Sequence, residues 1–410
     1  MSRSIRALLH IWACGAIALG MGGPALAADG RSVQVEGTGT GLGETPIVVI
    51  APNSIHLEGT YVLRPREGGP DLPVTIFKDQ GKVFLATVLD RVPAFGSRHY
   101  ELVEGPKLGG TYRLGVDLKP HEGNRQVAIS VAGRPLTTYI PDDGPKPYYF
   151  PLIGPTGAAM TRAYPMQQVA GEKVDHPHHR SLWFTHGSVN KVDFWSEAPN
   201  HGTIRESSRP TIVEGAAIGL IRTTDDWVGP DGKKVCEDER VVRIYATRTA
   251  RVLDFDVTLK ATAGPVTFGD TKEGTFGLRV ASSMDLTARQ GGRIVNAEGI
   301  IDNAAWGQPS PWVDYSGPVD GKIVGIAILN HPESFRYPTT WHVRDYGLFA
   351  ANPFGWHDFG RKTSGEYVLP AGESIRFRYR VLLHEADAGS ASLPAAFSGY
   401  GSPPKVTITD

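Results

Sequence analysis

Apolar and polar residues alternate with a period of two in several short segments of the chain. In Ile375–Val381 every second residue is apolar and arginines lie between, and Val252–Leu259 shows a similar alternation. This period places successive side chains on opposite faces of a strand, one against a core and one in water. Because long amphipathic helical patterns are absent, the sequence predicts an all-β fold with one or two antiparallel β-sandwiches.

Glycine and proline separate these short segments, with 49 and 31 occurrences in 410 residues. Such punctuation is typical of turns between strands. We expect a small N-terminal β domain in residues 28–130 and a main β-sandwich domain, carrying the functional site, in residues 131–387. The last residues, 388–410, are rich in Ser, Ala, Gly and Pro, and this composition predicts a flexible C-terminal tail.

The first residues are typical of a secretory signal peptide. Arg3 and Arg6 precede an apolar stretch, and Ala25-Leu26-Ala27 has the small-x-small pattern of a cleavage site. Residues 1–27 are therefore predicted to be removed after Ala27, which places the mature protein in the periplasm or outside the cell. Beyond this leader no apolar run approaches the ~20 residues of a membrane helix. The formal net charge is −1 and no basic block is present, so we expect neither a membrane span nor a nucleic-acid partner.

The most informative motif is a cluster of histidines. Five of the 13 histidines of the chain lie between His176 and His201. Histidine changes charge near neutral pH and is the commonest metal ligand, so such a cluster indicates a functional site. Pro177 favours an extended His176, which would place His176 and His178 on one side of the chain and His179 on the other. The segment supplies candidate catalytic residues His178, His179 and His186 and candidate substrate-binding residues Arg180, Asn190 and Asp193.

Two further segments combine charged groups with aromatic or glycine residues. The segment from Phe268 to Arg279 is suited to a tight loop that delivers side chains to a pocket, and Glu273 is its candidate carboxylate. In the segment from Trp341 to His357, flat aromatic faces and planar polar groups match those of carbohydrate sites. The remaining candidates are His342 as a catalytic residue and Lys272, Arg279, Trp341, Arg344, Asn352 and His357 as substrate-binding residues. Trp306, Trp312 and Tyr315 could extend the aromatic platform.

The sequence leaves the cofactor open, and a divalent metal is one alternative. In that reading His176 and His178 bind the ion. A catalytic zinc takes about three protein ligands, and His186 becomes the third only if the chain turns back between Arg180 and Thr185.

Four of these motifs carry a resemblance to a known family. They are Lys146–Pro155, Asp175–Phe184, Asp270–Gly274 and Trp341–Phe354. Together they resemble the PmoA-like family of exported bacterial proteins, which is largely of unknown function and is often labelled methane oxygenase. A methane monooxygenase subunit would be an integral membrane protein, whereas this sequence has no spanning segment after its leader. The strand pattern is also similar to galactose-mutarotase-like sandwiches, and this similarity implies a supersandwich that binds glycans across one face.

These observations predict an exported carbohydrate-active enzyme. It would cleave or remodel a glycoside or oligosaccharide by histidine and glutamate acid–base chemistry, as a hydrolase or a lyase. One alternative is a non-catalytic periplasmic carbohydrate-binding protein, and another is a metal-dependent hydrolase that uses His176 and His178. The identity of the sugar and the oligomeric state are not determined by the sequence.

Overall fold

The computed structural model of the protein describes residues 31–57, 59–105, 115–123 and 125–409. In this part of the chain, strands form four antiparallel sheets, and helix is limited to one α-helix and two short 3₁₀ helices. The prediction of an all-β fold with antiparallel sheets is confirmed. The predicted signal peptide and its cleavage site lie outside the described residues. Over the described ranges, no helix has the length and apolar character needed to cross a bilayer.

The first sheet is built mainly from the N-terminal part of the chain. Numbered in chain order, its strands are β1 (Arg31–Glu36), β2 (Thr45–Ile50), β3 (Tyr61–Pro65), β4 (Leu72–Asp79), β5 (Lys82–Leu89), β6 (Ser97–Glu104) and β26 (Lys405–Thr409). In β1, Val33 and Val35 are fully buried whereas their neighbours are partly exposed. This alternation gives the sheet one face against its own apolar core.

The C-terminal residues are folded, which corrects the prediction of a flexible tail. Helix α1 (Leu393–Gly401) buries Leu393 and Tyr400, and β26 completes the first sheet by pairing with β1. Two features overcome the loop-like composition of this segment. Its large apolar residues have a core to enter, and the edge of β1 has backbone groups available for pairing.

The second sheet has eight strands. They are β7 (Val116–Pro120), β8 (Val127–Val131), β9 (Arg134–Ile140), β10 (Tyr148–Phe150), β11 (Leu182–His186), β18 (Gly274–Arg279), β22 (Thr340–Val343) and β23 (Leu348–Asn352). The predicted boundary between residues 130 and 131 falls inside β8, which pairs with both β7 and β9.

The third sheet has nine strands and contains the longest ones. They are β12 (Thr203–Glu206), β13 (Thr211–Val213), β14 (Ile218–Val228), β15 (Lys234–Tyr245), β16 (Arg251–Lys260), β19 (Arg293–Asn296), β20 (Trp312–Val319), β21 (Lys322–Asn330) and β25 (Ser374–Glu385). A two-stranded sheet joins β17 (Val266–Phe268) to β24 (Tyr367–Leu369), and the 3₁₀ helices are Leu286–Ala288 and Asp302–Ala305. In β25 the predicted alternation is present, since Phe377 is fully buried and Arg376 is exposed.

The second and third sheets pack face to face. Phe276 of β18 stacks on Tyr379 of β25 with ring centroids 4.8 Å apart, and Tyr149 of β10 meets Phe255 of β16 edge-on at 5.4 Å. These contacts belong to the largest apolar core of the described chain. One face of the second sheet is therefore used for the core, and the opposite face, which we call the outer face, carries the candidate site.

Candidate functional site

A row of residues crosses the second sheet on its outer face. The strand registers align His342, Ala350, Gly277, Trp183, Tyr148 and Ile140 on six neighbouring strands. A Cβ atom on Gly277 would lie 2.6 Å from the ring of Trp183, so glycine is needed there for the indole to lie across the sheet. The small residues at the centre of this row give the histidine segment a surface to pack against.

Four aromatic rings form a continuous stack above this row. The ring of His176 lies between Tyr346 and His179, with centroid distances of 5.1 Å and 4.8 Å. His179 in turn stacks on Trp183 at 5.4 Å. Stacking of these flat faces holds the histidine segment on the sheet.

Arg279 fixes the chemical form of His179. The guanidinium Nη1 of Arg279 is 2.9 Å from Nδ1 of His179, and a guanidinium can only donate. Nδ1 therefore accepts the bond, and the proton of the neutral imidazole is on Nε2. Burial, followed by His178 and Arg279, lowers the pKa of His179 well below its usual range. His179 thus acts as an acceptor for Arg279, which weakens its candidacy as a proton-transfer group.

The partly exposed Asp175 and the buried Arg162 complete this ion cluster, and neither was among the candidate residues. Arg279 donates to Asp175 at 2.9 Å, Arg162 forms a short ion pair with the same carboxylate, and His176 Nδ1 lies 3.1 Å from it. Burial would raise the pKa of Asp175, but Arg279, His176 and Arg162 lower it to about 2. Asp175 could have been predicted as a site residue because it directly precedes the histidine motif. No feature of the sequence pointed to Arg162.

His178 differs from its neighbours because its ring nitrogens form no hydrogen bond with any described residue. Its ring meets that of His179 edge-on at 4.5 Å and lies 6.5 Å from the ring of Trp195. Burial, followed by the charges of Lys146 and His176, lowers the pKa of His178 to about 4. At neutral pH His178 is therefore an uncharged imidazole with a free lone pair, which is the form of a general base.

A buried ion network lies next to His178. The fully buried Lys146 donates to the carbonyl of Trp195 at 2.9 Å and to Glu197 at 3.4 Å. Arg180 forms a two-pronged ion pair with Glu197, at 2.7 Å and 2.9 Å, and lies over the ring of Tyr148. Burial lowers the pKa of Lys146 to about 8 against the opposing effect of Glu197. Arg180, a candidate substrate ligand, is thus already satisfied within the protein.

Glu273 lies in the loop that precedes β18. Its carbonyl accepts a 2.6 Å bond from the N–H of Gly187, and the two backbones are so close that a Cβ on Gly187 would be 2.7 Å from Cβ of Glu273. Its carboxylate accepts no hydrogen bond from a described residue. Burial raises the pKa of Glu273, opposed by Lys272 and Arg344 and assisted by Asp193 and Asp358.

Arg344 and His342 form the other end of the site. The guanidinium of Arg344 lies 5.6 Å from the ring centroid of Trp306 and 5.7 Å from that of Tyr346. Trp306 Nε1 donates to Nδ1 of His342 at 2.9 Å. Because an indole can only donate, His342 is neutral with its proton on Nε2. Burial, followed by Arg344 and Lys272, lowers the pKa of His342 to about 3.

Several candidates are structural residues instead, which corrects their predicted roles. Trp341 is fully buried in the main core and donates to the carbonyl of Ser310 at 2.9 Å, so it cannot serve as a sugar platform from this position. His186 is also fully buried, with Nε2 bonded to the carbonyl of Gly269 at 2.8 Å. Arg279, only 1 % exposed, is used inside the histidine cluster. All three lie on strands, where one face points to packed protein.

Polar candidates in the loops mostly hold the loops themselves. The buried amide of Asn352 binds two carbonyls and two N–H groups of neighbouring loops. Asn190 bonds the backbone of residues 265 and 267, and Asp193 accepts from the backbone N–H groups of Trp195 and Ser196. His357 and Lys272 are exposed. These residues shape the loops around the site, and only the exposed ones remain available to a ligand.

The metal alternative requires at least three side chains placed around one ion. Within the described ranges, no group of three or more His, Cys, Asp or Glu side chains is placed to hold a metal ion. His176 and His178 meet edge-on with centroids 5.7 Å apart, and Nδ1 of His176 is paired with Asp175.

The site falls within a family match. The model of a family described as a family of unknown function, DUF6807, matches residues 126–398, well over half of the chain. The chain belongs to the DUF6807 family. The matched range contains the third sheet, nearly all of the second sheet and every residue of the site. No curated protein matches the chain.

Proposed function

We propose that this DUF6807 protein is an exported carbohydrate-active enzyme that binds a glycan on the outer face and transfers a proton with His178 and Glu273. One observation carries the proposal. These two partly buried titratable side chains have no hydrogen-bond partner among the described residues, whereas the histidines around them have one. Unpartnered titratable groups with perturbed pKa values concentrate at functional sites.

The surroundings of this pair suit a sugar. Trp306 and Tyr346 are half-buried aromatic residues, and Arg344 lies against both rings. Aromatic faces bind the C–H surfaces of sugars, and planar donors bind oxygen atoms. The predicted similarity to mutarotase-like sandwiches, which bind glycans across one face, agrees with a glycan ligand.

The state of the carboxylates favours proton transfer at carbon over hydrolysis. Hydrolysis of a glycoside uses two carboxyl groups on opposite sides of the bond. The partners that could accompany Glu273 are engaged: Asp193 binds backbone N–H groups of its own turn, and Asp270 binds those of His357 and Gly365. A neutral base at His178 and a carboxyl group at Glu273 match an elimination or an epimerisation.

The test is turnover of a glycan and aryl-glycoside panel by the wild type, His178→Ala and Glu273→Gln. Loss of a general base or acid costs about 10²–10⁴ in kcat. We expect losses of this size, with ligand affinity changed by less than about tenfold, or ~1.4 kcal/mol. Because a base must be unprotonated, kcat/KM of the wild type should fall as the pH is lowered through about 4. His56→Ala, an exposed histidine near the first sheet, is the matched control.

A different result would favour the non-catalytic alternative. If the wild type turns over no glycan, and His178→Ala and Trp306→Ala weaken binding equally, the outer face is a binding surface only. Trp306 replaces Trp341 in this comparison because Trp341 is buried.

A further inference from the structure

Arg344 is one of the partly buried arginines of the described chain that have no acidic partner. Others are ion-paired, namely Arg162, Arg180, Arg222, Arg240, Arg243, Arg279, Arg378 and Arg380. The guanidinium of Arg344 forms neither an ion pair nor a hydrogen bond with a described residue, and the same is true of the ammonium group of Lys272. The charges of both Arg344 and Lys272 lower the pKa values of Glu273 and His342. The two cations therefore lie on the same part of the outer face.

The position of Arg344 is nevertheless fixed. Its guanidinium contacts the rings of Trp306 and Tyr346. Trp306 is held by its bond to His342, and Tyr346 stacks on His176. A guanidinium held against aromatic faces loses little entropy when it binds an anion, and its donors match a carboxylate in a two-pronged geometry.

Two acidic residues near this position use other donors, and the carboxylate of Glu273 accepts no hydrogen bond from Arg344. Asp345 accepts from the amide of Asn303 at 3.4 Å, and Asp358 accepts from the backbone N–H of Lys272 at 2.7 Å. The donors of Arg344 are thus left without an acceptor although carboxylates are close in sequence. An anionic group of the ligand would supply that acceptor.

We infer that the sugar bound on the outer face carries a carboxylate, as a uronate unit does, and that Arg344 binds this carboxylate with help from Lys272. The inference rests on the proposed function and names its substrate class. A carboxylate also makes the neighbouring C–H acidic, and a fixed cation stabilises the charge that develops when that proton leaves.

The reaction that follows is a β-elimination. His178 takes the proton from the carbon next to the carboxylate, and the electron pair of that C–H bond becomes a carbon–carbon double bond. The C–O bond to the neighbouring sugar then breaks, and the leaving oxygen takes a proton from the carboxyl group of Glu273. One chain becomes two, and one of them ends in an unsaturated uronate.

The experiment compares binding of charged and neutral forms of one polymer. We would measure the affinity of the full-length protein for polygalacturonate oligomers and for their methyl esters, and repeat this with alginate oligomers. The wild type should bind the acids at least about tenfold more tightly than the esters, a difference of ~1.4 kcal/mol. Arg344→Gln should remove this preference without weakening ester binding, Arg344→Lys should retain part of it, and Lys272→Gln should reduce it less. Arg66→Gln, an exposed arginine beside the first sheet, controls for overall charge.

The outcomes separate this inference from the proposed function. Equal binding of acids and esters by the wild type, or an equal loss of both in Arg344→Gln, overturns the uronate inference. If neutral glycans are nevertheless turned over in a His178-dependent way, the proposed function stands. If acids bind through Arg344 but none is turned over, the enzyme proposal fails and the uronate inference stands. A wild type that binds no member of either series overturns the uronate inference, and turnover of the neutral glycan panel then decides the proposed function.

Discussion

Each histidine of the site has a chemical role set by its nearest partner. His179 accepts from Arg279, His342 accepts from Trp306, and His186 donates to a carbonyl. These bonds hold one tautomer of each ring. His178 has no such partner, so its ring can gain or lose a proton without breaking a hydrogen bond to the protein.

The ion network beside His178 should tune its basicity. Burial is the main cause of its low pKa, Lys146 lowers it further and Glu197 raises it. Removing the positive charge in Lys146→Met should therefore raise the pKa of His178, whereas removing the negative charge in Glu197→Gln should lower it. NMR titration of the His178 ring measures both. If the two variants move the pKa in the same direction, the effect comes from altered packing and not from charge.

The two tryptophans Trp341 and Trp306 should behave differently on substitution. Removing a fully buried aromatic side chain costs about 3–5 kcal/mol, so we expect Trp341→Ala to lower the free energy of unfolding by that amount. Trp306 is half-buried, and Trp306→Ala should cost less stability but weaken glycan binding. Urea unfolding and ligand titration of both variants check this. A stable Trp341→Ala protein with lost binding would contradict the burial argument.

At the scale of elements, strand register places the site. The row from His342 to Ile140 brings together residues that are far apart in sequence, because six neighbouring strands present them on one face. The loops that follow these strands then need specific anchors, such as Asn352 and Asp193. Three candidate segments were recognised in the sequence because each combines charged groups with aromatic residues, and two of them also contain histidines. Which residue of each segment faces the site depends on the strand register. The composition of a segment does not determine that register.

The C-terminal segment gives a direct test at this scale. Removing residues 389–410 should lower the free energy of unfolding by at least about 3 kcal/mol, because burying Leu393 and Tyr400 contributes roughly 1.5–3 kcal/mol each. Leu393→Ala alone should cost about 2–5 kcal/mol. Chemical denaturation measures both, with Lys405→Gln, an exposed residue of β26, as the control. A flexible tail would predict no change in any of the three variants.

At the scale of the whole molecule, apolar packing joins the first sheet to the third. One core cluster contains Phe77 of β4, Leu220 of β14 and Leu329 of β21, together with Tyr400 of α1. Ion pairs continue this contact, since Arg222 of β14 binds Asp79 of β4 at 2.6 Å. The N-terminal and C-terminal parts of the chain thus support the sheet that backs the second sheet and its site.

A buried ion pair in the third sheet should make stability depend on pH. His384 Nε2 lies 2.7 Å from Asp314, and its Nδ1 faces the carbonyl of Glu385 at 3.1 Å. Burial lowers the pKa of His384, but these acceptors outweigh burial and raise it above 6.5. A raised folded-state pKa stabilises the protein fully below pH 6.5 and loses this contribution as the pH rises through the folded-state value. Urea unfolding across this range should show a fall that His384→Gln lacks, and equal pH dependence in both proteins would contradict the assignment.

The sequence by itself determined the fold class, because the period of two and the frequent turn residues are local properties of the chain. It also indicated the three segments that contribute to the candidate site. Only the tertiary structure decided which side chains are available. Trp341 and Trp306 are both tryptophans in polar surroundings of the sequence, yet one is in the core and the other faces the site. The burial, tautomer and ion pairing of the site histidines depend on residues such as Arg162, Arg279 and Lys146. These residues reach the histidines only through the packing of strands that are distant in sequence.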